Sequence, residues 1–128
     1  MRQLATVRVE FAPGTADRSQ HLESLLTMCD SQLEKDWLGF LNERDLRLPT
    51  RAQAVIKACG TKPDFLYDES SAAIYIDGPP HDFPDRQKRD ELTTEQMRDY
   101  GYTVIRFRHF DDWQEIVARY PSIFGRVR

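Results

Sequence analysis

The stretch from residue 63 to residue 78, PDFLYDESSAAIYIDG, decides the fold that we predict for this chain. Two short apolar runs, residues 65–67 and 72–76, flank residues 68–71, which have the length and polarity of a hairpin loop. Gly78-Pro79-Pro80 ends the second run, because proline offers no hydrogen-bond donor to a strand ladder. The stretch therefore predicts a β-hairpin.

Upstream of the hairpin, the hydrophobic pattern predicts a strand, two helices and a second strand. Apolar and polar residues alternate over residues 5–11, as they do in a half-buried strand. Residues 22–29 and 33–41 carry apolar side chains at helical spacing, which predicts two amphipathic helices. Residues 52–58 fit either a strand or a short helix, and we favour the strand.

Downstream of the hairpin, residues 84–100 predict a long polar helix, and Gly101 can take the left-handed conformation that ends it. Residues 102–107 are the most strand-like run of the chain, and Asp111 or Asp112 can cap a final helix. A helical crossover that follows a hairpin joins parallel strands. The sequence therefore predicts an α/β fold in which a mixed β-sheet core is flanked by helices.

Composition excludes several classes of protein. The chain has 128 residues, 40% of them hydrophobic, which suits one globular domain. It contains no apolar stretch near the roughly 18 residues that span a bilayer and no apolar signal region after Met1, so we expect a cytoplasmic protein with no membrane partner. A formal net charge of -3 argues against a surface that binds nucleic acid throughout, although a local basic patch is compatible with it.

Two aspartates border the predicted hairpin. Asp64 precedes its first strand and Asp77 ends its second, and the antiparallel pairing places these two ends side by side. Two neighbouring carboxylates repel each other unless a cation lies between them, and oxygen ligands are those that Mg²⁺ prefers. The spacing equally fits two aspartates that only border turns, where this residue type is common.

Glu34 and His81 are further candidates for the same site. Ser31 and Glu34 match a helix capping box, yet Glu34 also lies at the edge of the buried helix stripe, from which it could face the sheet. His81 follows Asp77 by four positions and could serve as general base or acid beside a metal-bound water. The alternative interpretation is that His81 is a surface-loop histidine without a function. We interpret His21 and His109 as structural.

Basic residues offer a candidate DNA surface. They lie on the polar helix and on the last strand: Arg86, Lys88, Arg89, Arg106 and Arg108. Such a group can contact phosphates. Acidic neighbours dilute it, however, and a solvated helix face has the same composition.

Several of these segments belong to one series of motifs. In chain order they are Ser31-Gln32-Leu33-Glu34, Leu46-Arg47-Leu48-Pro49, Pro63-Asp64-Phe65, Ile74-Tyr75-Ile76-Asp77-Gly78 with His81, Arg89-Asp90, and Gly101-Tyr102-Thr103-Val104-Ile105. The series resembles the very short patch repair endonuclease branch of the restriction-endonuclease-like PD-(D/E)XK superfamily. It looks closest to the endonuclease-like domain at the C-terminal end of certain large DEAD/DEAH-box helicases linked to DNA repair and phage defence. This resemblance assigns residues 31–128 to an endonuclease-like domain and leaves residues 1–30 as an N-terminal strand and helix, either the end of a preceding domain or the start of a small protein.

The resemblance implies a restriction-endonuclease-like fold and a Mg²⁺-dependent DNA endonuclease, with Mn²⁺ as a substitute. It implies Asp64 as the principal metal ligand, the backbone carbonyl of Ile76 as a second and Asp77 as a further one. It also matches His81 and Glu34 to catalytic positions. The implied chemistry is in-line attack of an activated water on a phosphate. The implied partners are DNA and a helicase in the same chain or complex.

The chain departs from the family pattern in two ways that matter. Pro79 stands where the signature lysine is expected, and Tyr75 stands where related nucleases have a glutamate. In addition, no cysteines occupy the positions of the structural zinc site found in the mismatch repair enzyme, so mismatch specificity is not implied. The alternative to a nuclease is therefore an inactive nuclease-fold module that binds DNA or a partner protein, and a third hypothesis is a purely structural interaction domain.

Overall fold

The helices and strands follow the predicted order through most of the chain. The structure is a computed structural model that describes residues 15–126, so the strand predicted for residues 5–11 lies outside the described residues. The elements are α1 Thr15–Met28, α2 Gln32–Glu43, β1 Arg51–Ala52, β2 Phe65–Tyr67, β3 Ala72–Asp77, α3 Pro84–Asp99, β4 Thr103–Arg108, α4 Trp113–Ala118 and α5 Pro121–Phe124, with short 3₁₀ turns at Lys57–Cys59 and Pro79–Asp82.

The four strands form one mixed sheet in the order β1-β2-β3-β4. Strands β2 and β3 pair antiparallel, with Phe65 opposite Ile74, as the hairpin pattern predicts. Strand β4 pairs parallel with β3, from Ala72 opposite Thr103 to Asp77 opposite Arg108. The parallel pair follows from the crossover through α3. The predicted α/β fold with a mixed sheet flanked by helices is confirmed.

The strand predicted for residues 52–58 is wrong. Strand β1 ends at Ala52, Lys57–Cys59 forms a 3₁₀ turn, and Ile56 makes only an isolated bridge to Thr61. The reason is local: Gln53 adopts a φ of 57°, which extended strands do not have. The apolar pattern misled the prediction because Val55 is exposed and not buried.

Two helical layers cover the sheet. Helices α1, α2, α4 and α5 bury one face around Trp37, which stacks on Phe65 at 5.0 Å between ring centroids. Helix α3 covers the other face through Met97. Leu25 of α1 lies in the same core as Trp37, so the predicted boundary at residue 30 does not follow a gap in the core, and the division stays a prediction.

The end of the chain contains one helix more than the pattern predicts. Asp112 caps α4 by accepting a hydrogen bond from the Glu115 N–H, which agrees with the predicted cap. Pro121 begins the additional helix α5, since proline fits the first turn of a helix. None of the helices within residues 15–126 is long and apolar enough to cross a membrane.

Candidate active site

A cavity of about 820 Å³ opens where β2 begins and β3 ends. All four of the predicted catalytic side chains line it, together with three of the predicted DNA-contacting arginines and one acid: Glu34, Asp64, Asp77, His81, Arg86, Arg89, Arg106 and Asp90. Arg108 instead lines a neighbouring cavity of about 440 Å³, and Lys88 is exposed on α3 outside both. Segments that are far apart in sequence therefore meet in one place.

Asp64 lies at the floor of this cavity, immediately before β2. Its Oδ2 accepts a hydrogen bond of 2.7 Å from the Ile76 N–H, in the place that a backbone partner would take if β2 began earlier. The N–H and C=O of one strand residue point to the same neighbouring strand, so the Ile76 carbonyl faces the Asp64 side. Burial is the main cause that raises the pKa of Asp64 from 3.8 to about 7; the carboxylates of Glu34 and Asp77 act in the same direction, and the Ile76 hydrogen bond opposes them.

Glu34 serves both as a helix cap and as a wall of the cavity. Its N–H donates to Ser31 Oγ at 3.2 Å, as in the predicted capping box, and Ser31 Oγ also donates to the Oε2 atom of Glu34 at 2.9 Å. Oε1 accepts from the Asp30 N–H at 3.2 Å and from Gln53 Nε2 at 2.8 Å. The three contacts to Oε1 and Oε2 fix a buried carboxylate close enough to Asp64 to influence its pKa.

Removing the cap is expected to weaken the fold by a small, measurable amount. In Ser31→Ala the Glu34 N–H loses its acceptor, and we expect the free energy of unfolding to fall by about 1 kcal/mol. Thermal denaturation measures this as a decrease in Tm of about 3–6 °C for a chain of this length. Ser24→Ala, at an exposed position of α1, is the control and is expected to leave Tm unchanged or slightly higher. Equal Tm values for wild type and Ser31→Ala would contradict the role of the cap.

His81 lies in the 3₁₀ turn after β3 and is held at both ring nitrogens. Nδ1 lies 2.8 Å from Asp90 Oδ2 and 3.5 Å from Asp77 Oδ1, while Arg86 Nη2 lies 3.1 Å from Nε2. A guanidinium only donates hydrogen bonds, so Nε2 is the acceptor and Nδ1 carries the proton that is donated to Asp90. The contacts therefore favour the arrangement in which Nδ1 donates to Asp90 and the Nε2 lone pair accepts from Arg86.

Asp77 is almost completely buried and is paired with Arg106 across the parallel strands. Arg106 Nη1 donates to both carboxylate oxygens, at 3.2 and 3.3 Å. Burial raises the pKa of Asp77, whereas Arg106 and His81 act in the opposite direction. The Arg106 guanidinium also lies 4.3 Å above the ring of Tyr75. Arg106 was proposed above as a DNA contact, yet its hydrogen bonds are made to the protein, so that role stays a prediction.

Sequence reasoning missed Asp90 as a site residue. Ligand atoms of Asp77, His81 and Asp90 all lie within 4.8 Å of one another, close enough to share a metal ion. The series of motifs includes Arg89-Asp90 but assigns Asp90 no role in the site. The available signal was the spacing of Arg86, Asp90 and Thr94, which places them on one face of α3.

The comparisons with known proteins add one relative. It is an uncharacterized protein from Haemophilus influenzae, 33% identical over 61 residues. These residues are 48% of this chain and 50% of that protein, so the chain spans about half the length of the relative that it matches. No family model matches the chain, and no solved structure matches it.

Proposed function

We propose that this chain is a metal-dependent DNA endonuclease domain with a restriction-endonuclease-like fold, which hydrolyses phosphodiester bonds with Mg²⁺, or with Mn²⁺ in its place. One observation carries the proposal. Carboxylates from three separate segments, Glu34, Asp64 and Asp77, line one cavity together with Arg86 and Arg89. A group of acids beside arginines is suited to hold a cation and a phosphate at the same time.

The donor atoms around Asp64 fit a magnesium ion. Asp64, Asp77 and the Ile76 carbonyl all offer oxygen, the ligand type that Mg²⁺ and Mn²⁺ prefer. Among the described residues, Asp64 has no ion pair with a basic side chain. A divalent cation at this position would offset the repulsion between Asp64, Asp77 and Glu34.

Each remaining residue has a task in phosphodiester hydrolysis. A bound ion would stabilise the negative charge that develops on the phosphate. His81, held by Asp90, takes or gives a proton at Nε2 once Arg86 turns from the ring to a phosphate oxygen. Arg86 and Arg89 hold the phosphate at the cavity, and Lys88 and Arg108 extend the basic surface along the DNA.

We also propose that the domain works with, or as part of, a helicase in DNA repair or phage defence. This proposal is supported by the order and spacing of the motifs between residues 31 and 105, which resemble the endonuclease-like domain of large helicases.

A second function is favoured by specific residues of the same site. Tyr75 and Pro79 stand where an acid and a lysine are expected, and Arg106 pairs with Asp77. A site with fewer acids binds metal less strongly. The second candidate is therefore an inactive module that binds DNA or a partner protein through this nuclease fold.

Metal titration and DNA nicking decide between the two functions. We expect Mg²⁺ and Mn²⁺ to bind the wild-type protein in a calorimetric titration, and the same samples to nick supercoiled plasmid DNA. Both signals are expected to disappear in Asp64→Ala, because this substitution removes the principal metal ligand. Glu69→Gln, which removes a charge from the exposed hairpin loop, is the control and is expected to behave as the wild type does.

The opposite outcomes are equally informative. Unchanged nicking by Asp64→Ala would show that the site is assigned wrongly. The inactive module would be supported if the wild-type protein did not bind metal and did not nick DNA, but bound DNA in a gel mobility-shift assay. A wild-type protein that shows none of the three signals would leave an inactive module that binds a partner protein, or a purely structural interaction domain.

A further inference from the structure

We propose that the Arg106 guanidinium is a permanent cation of this site that takes the place of a second metal ion. The site then binds a single divalent ion, on the Asp64 side of Asp77, and none between Asp77, His81 and Asp90. The inference rests on the proposed function, because it concerns how that metal centre is built.

Arg106 is fixed in place from three directions. Nη1 donates to Asp77, Nη2 donates to the Asp90 backbone oxygen at 3.1 Å, and Nε donates to Thr94 Oγ1 at 3.0 Å. All three guanidinium nitrogens therefore have acceptors, and the side chain is only 15% exposed. A guanidinium keeps its charge at any pH at which the protein is folded, so this positive charge is permanent.

The ring of Tyr75 provides a further contact to the Arg106 guanidinium. Tyr75 pairs with Arg106 in the parallel register and lies two residues before Asp77, so the side chains of Tyr75 and Asp77 lie on the same face of β3. The face of an aromatic ring attracts a cation but does not coordinate a metal. A carboxylate at position 75 would help to bind a metal ion, whereas Tyr75 contacts the Arg106 side chain at this position.

The charges around Asp77 and Asp90 are already balanced. Arg106 pairs with Asp77, and Arg86 Nε lies 3.8 Å from Asp90 Oδ1. Two neighbouring guanidiniums repel a divalent cation. Arg86 donates to His81 Nε2, and in this arrangement Nδ1 is the donor to Asp90 and offers no lone pair to a metal.

The Asp64 side of the cavity lacks such compensation. Asp64 and Glu34 accept hydrogen bonds from neutral donors, namely the Ile76 N–H, the Asp30 N–H, Ser31 and Gln53. Within residues 17–126, neither carboxylate forms an ion pair with an arginine or lysine. A divalent ion is therefore attracted to Asp64 and repelled from Asp90.

Counting bound Mn²⁺ ions tests this inference directly. Calorimetry together with electron paramagnetic resonance of free Mn²⁺ is expected to give one ion for each wild-type chain. Arg106→Ala is expected to bind a second ion. Its affinity for that ion should be at least tenfold higher than any affinity of the wild type for a second ion. The double variant Arg106→Ala, Asp90→Asn is expected to lose that second ion. Arg51→Ala, which removes an exposed arginine of β1 that lines neither cavity, is the control and should keep one ion.

Two results overturn the inference: a wild-type protein that binds two ions, or a folded Arg106→Ala protein that gains none. If Arg106→Ala does not fold, Arg106→Gln removes the charge but keeps hydrogen-bond donors for Asp77 and Asp90. The failure of the proposed function is distinguishable. A wild type without any ion, beside an Arg106→Ala protein that binds one, would overturn the metal centre at Asp64 and support the permanent cation.

Discussion

Replacing Asp64 by asparagine is expected to abolish DNA cleavage and, in the absence of metal, to make the protein more stable at pH 8. Cleavage is lost because an amide is a much weaker ligand for Mg²⁺ than a carboxylate. Stability rises because the folded protein holds this carboxylate partly buried beside Glu34 and Asp77. Asparagine still offers an oxygen to the Ile76 N–H but carries no charge to bury.

The direction of the pH dependence follows from the raised pKa. In the folded state the pKa of Asp64 is about 7, compared with an ordinary value of 3.8. Between these two values the folded protein binds more protons than the unfolded chain, so this group lowers the stability as the pH rises from about 4 to 7. Above pH 7 the loss is complete. We expect the loss of stability to be about 2 kcal/mol, because solvent that reaches the cavity screens the charge and reduces the free energy that the pKa shift would otherwise represent.

Thermal denaturation in a metal chelator at several pH values measures this effect. At pH 8 the Tm of Asp64→Asn should exceed that of the wild type by about 8 °C or more, and the difference should shrink steadily as the pH falls to 4. Glu69→Gln controls for the removal of one negative charge from the exposed hairpin loop. A variant that is less stable than the wild type at pH 8 would show that Asp64 stabilises the fold and is not held at a cost.

His81→Ala is the second substitution with a large expected effect. It should lower the rate of cleavage about 100-fold or more, because a positioned proton-transfer group contributes about this much to a reaction. Its effect on Mg²⁺ binding at Asp64 should be small, since His81 makes its hydrogen bonds to Asp90 and Arg86. The measurement is single-turnover nicking at saturating Mg²⁺, together with calorimetric titration of the metal.

The matched control for this prediction is His21→Ala. His21 lies on α1 and its Nε2 bonds to the Pro49 backbone oxygen at 2.7 Å, so it belongs to the fold and not to the cavity. We expect His21→Ala to lower Tm and leave the cleavage rate of the folded protein unchanged. If His81→Ala weakens metal binding as much as it slows cleavage, then His81 is a metal ligand and not a proton-transfer group.

Short-range patterns were sufficient to predict much of this fold. The hairpin, the polar crossover helix and the strand after it were predicted from residues that are neighbours in sequence. Gly101 ends α3 with a φ of 94°, as expected of a glycine after a helix. The same patterns failed over residues 52–58. There a left-handed residue at Gln53 and exposure of Val55 outweighed the apolar composition.

The site was predictable wherever strand pairing alone fixes positions. Asp64 and Asp77 flank one hairpin, so antiparallel pairing brings them to the same cavity. Glu34 was predictable as a cap because the capping box is local. Its contact with Gln53 was not, because it joins two segments that only the packed core places side by side.

The sequence by itself therefore determined the class of fold and the meeting of Asp64 and Asp77 at one cavity, since both depend on the periods of helix and strand and on pairing across one turn. Only the tertiary structure decided what balances those acids. Arg106 is 29 positions from Asp77 and reaches it because β4 lies parallel to β3 after a helical crossover. Asp90 meets His81 because α3 folds back over the end of the sheet. The residue type alone does not show whether an arginine is solvated or is the buried counterion of an aspartate, because this depends on how the elements pack.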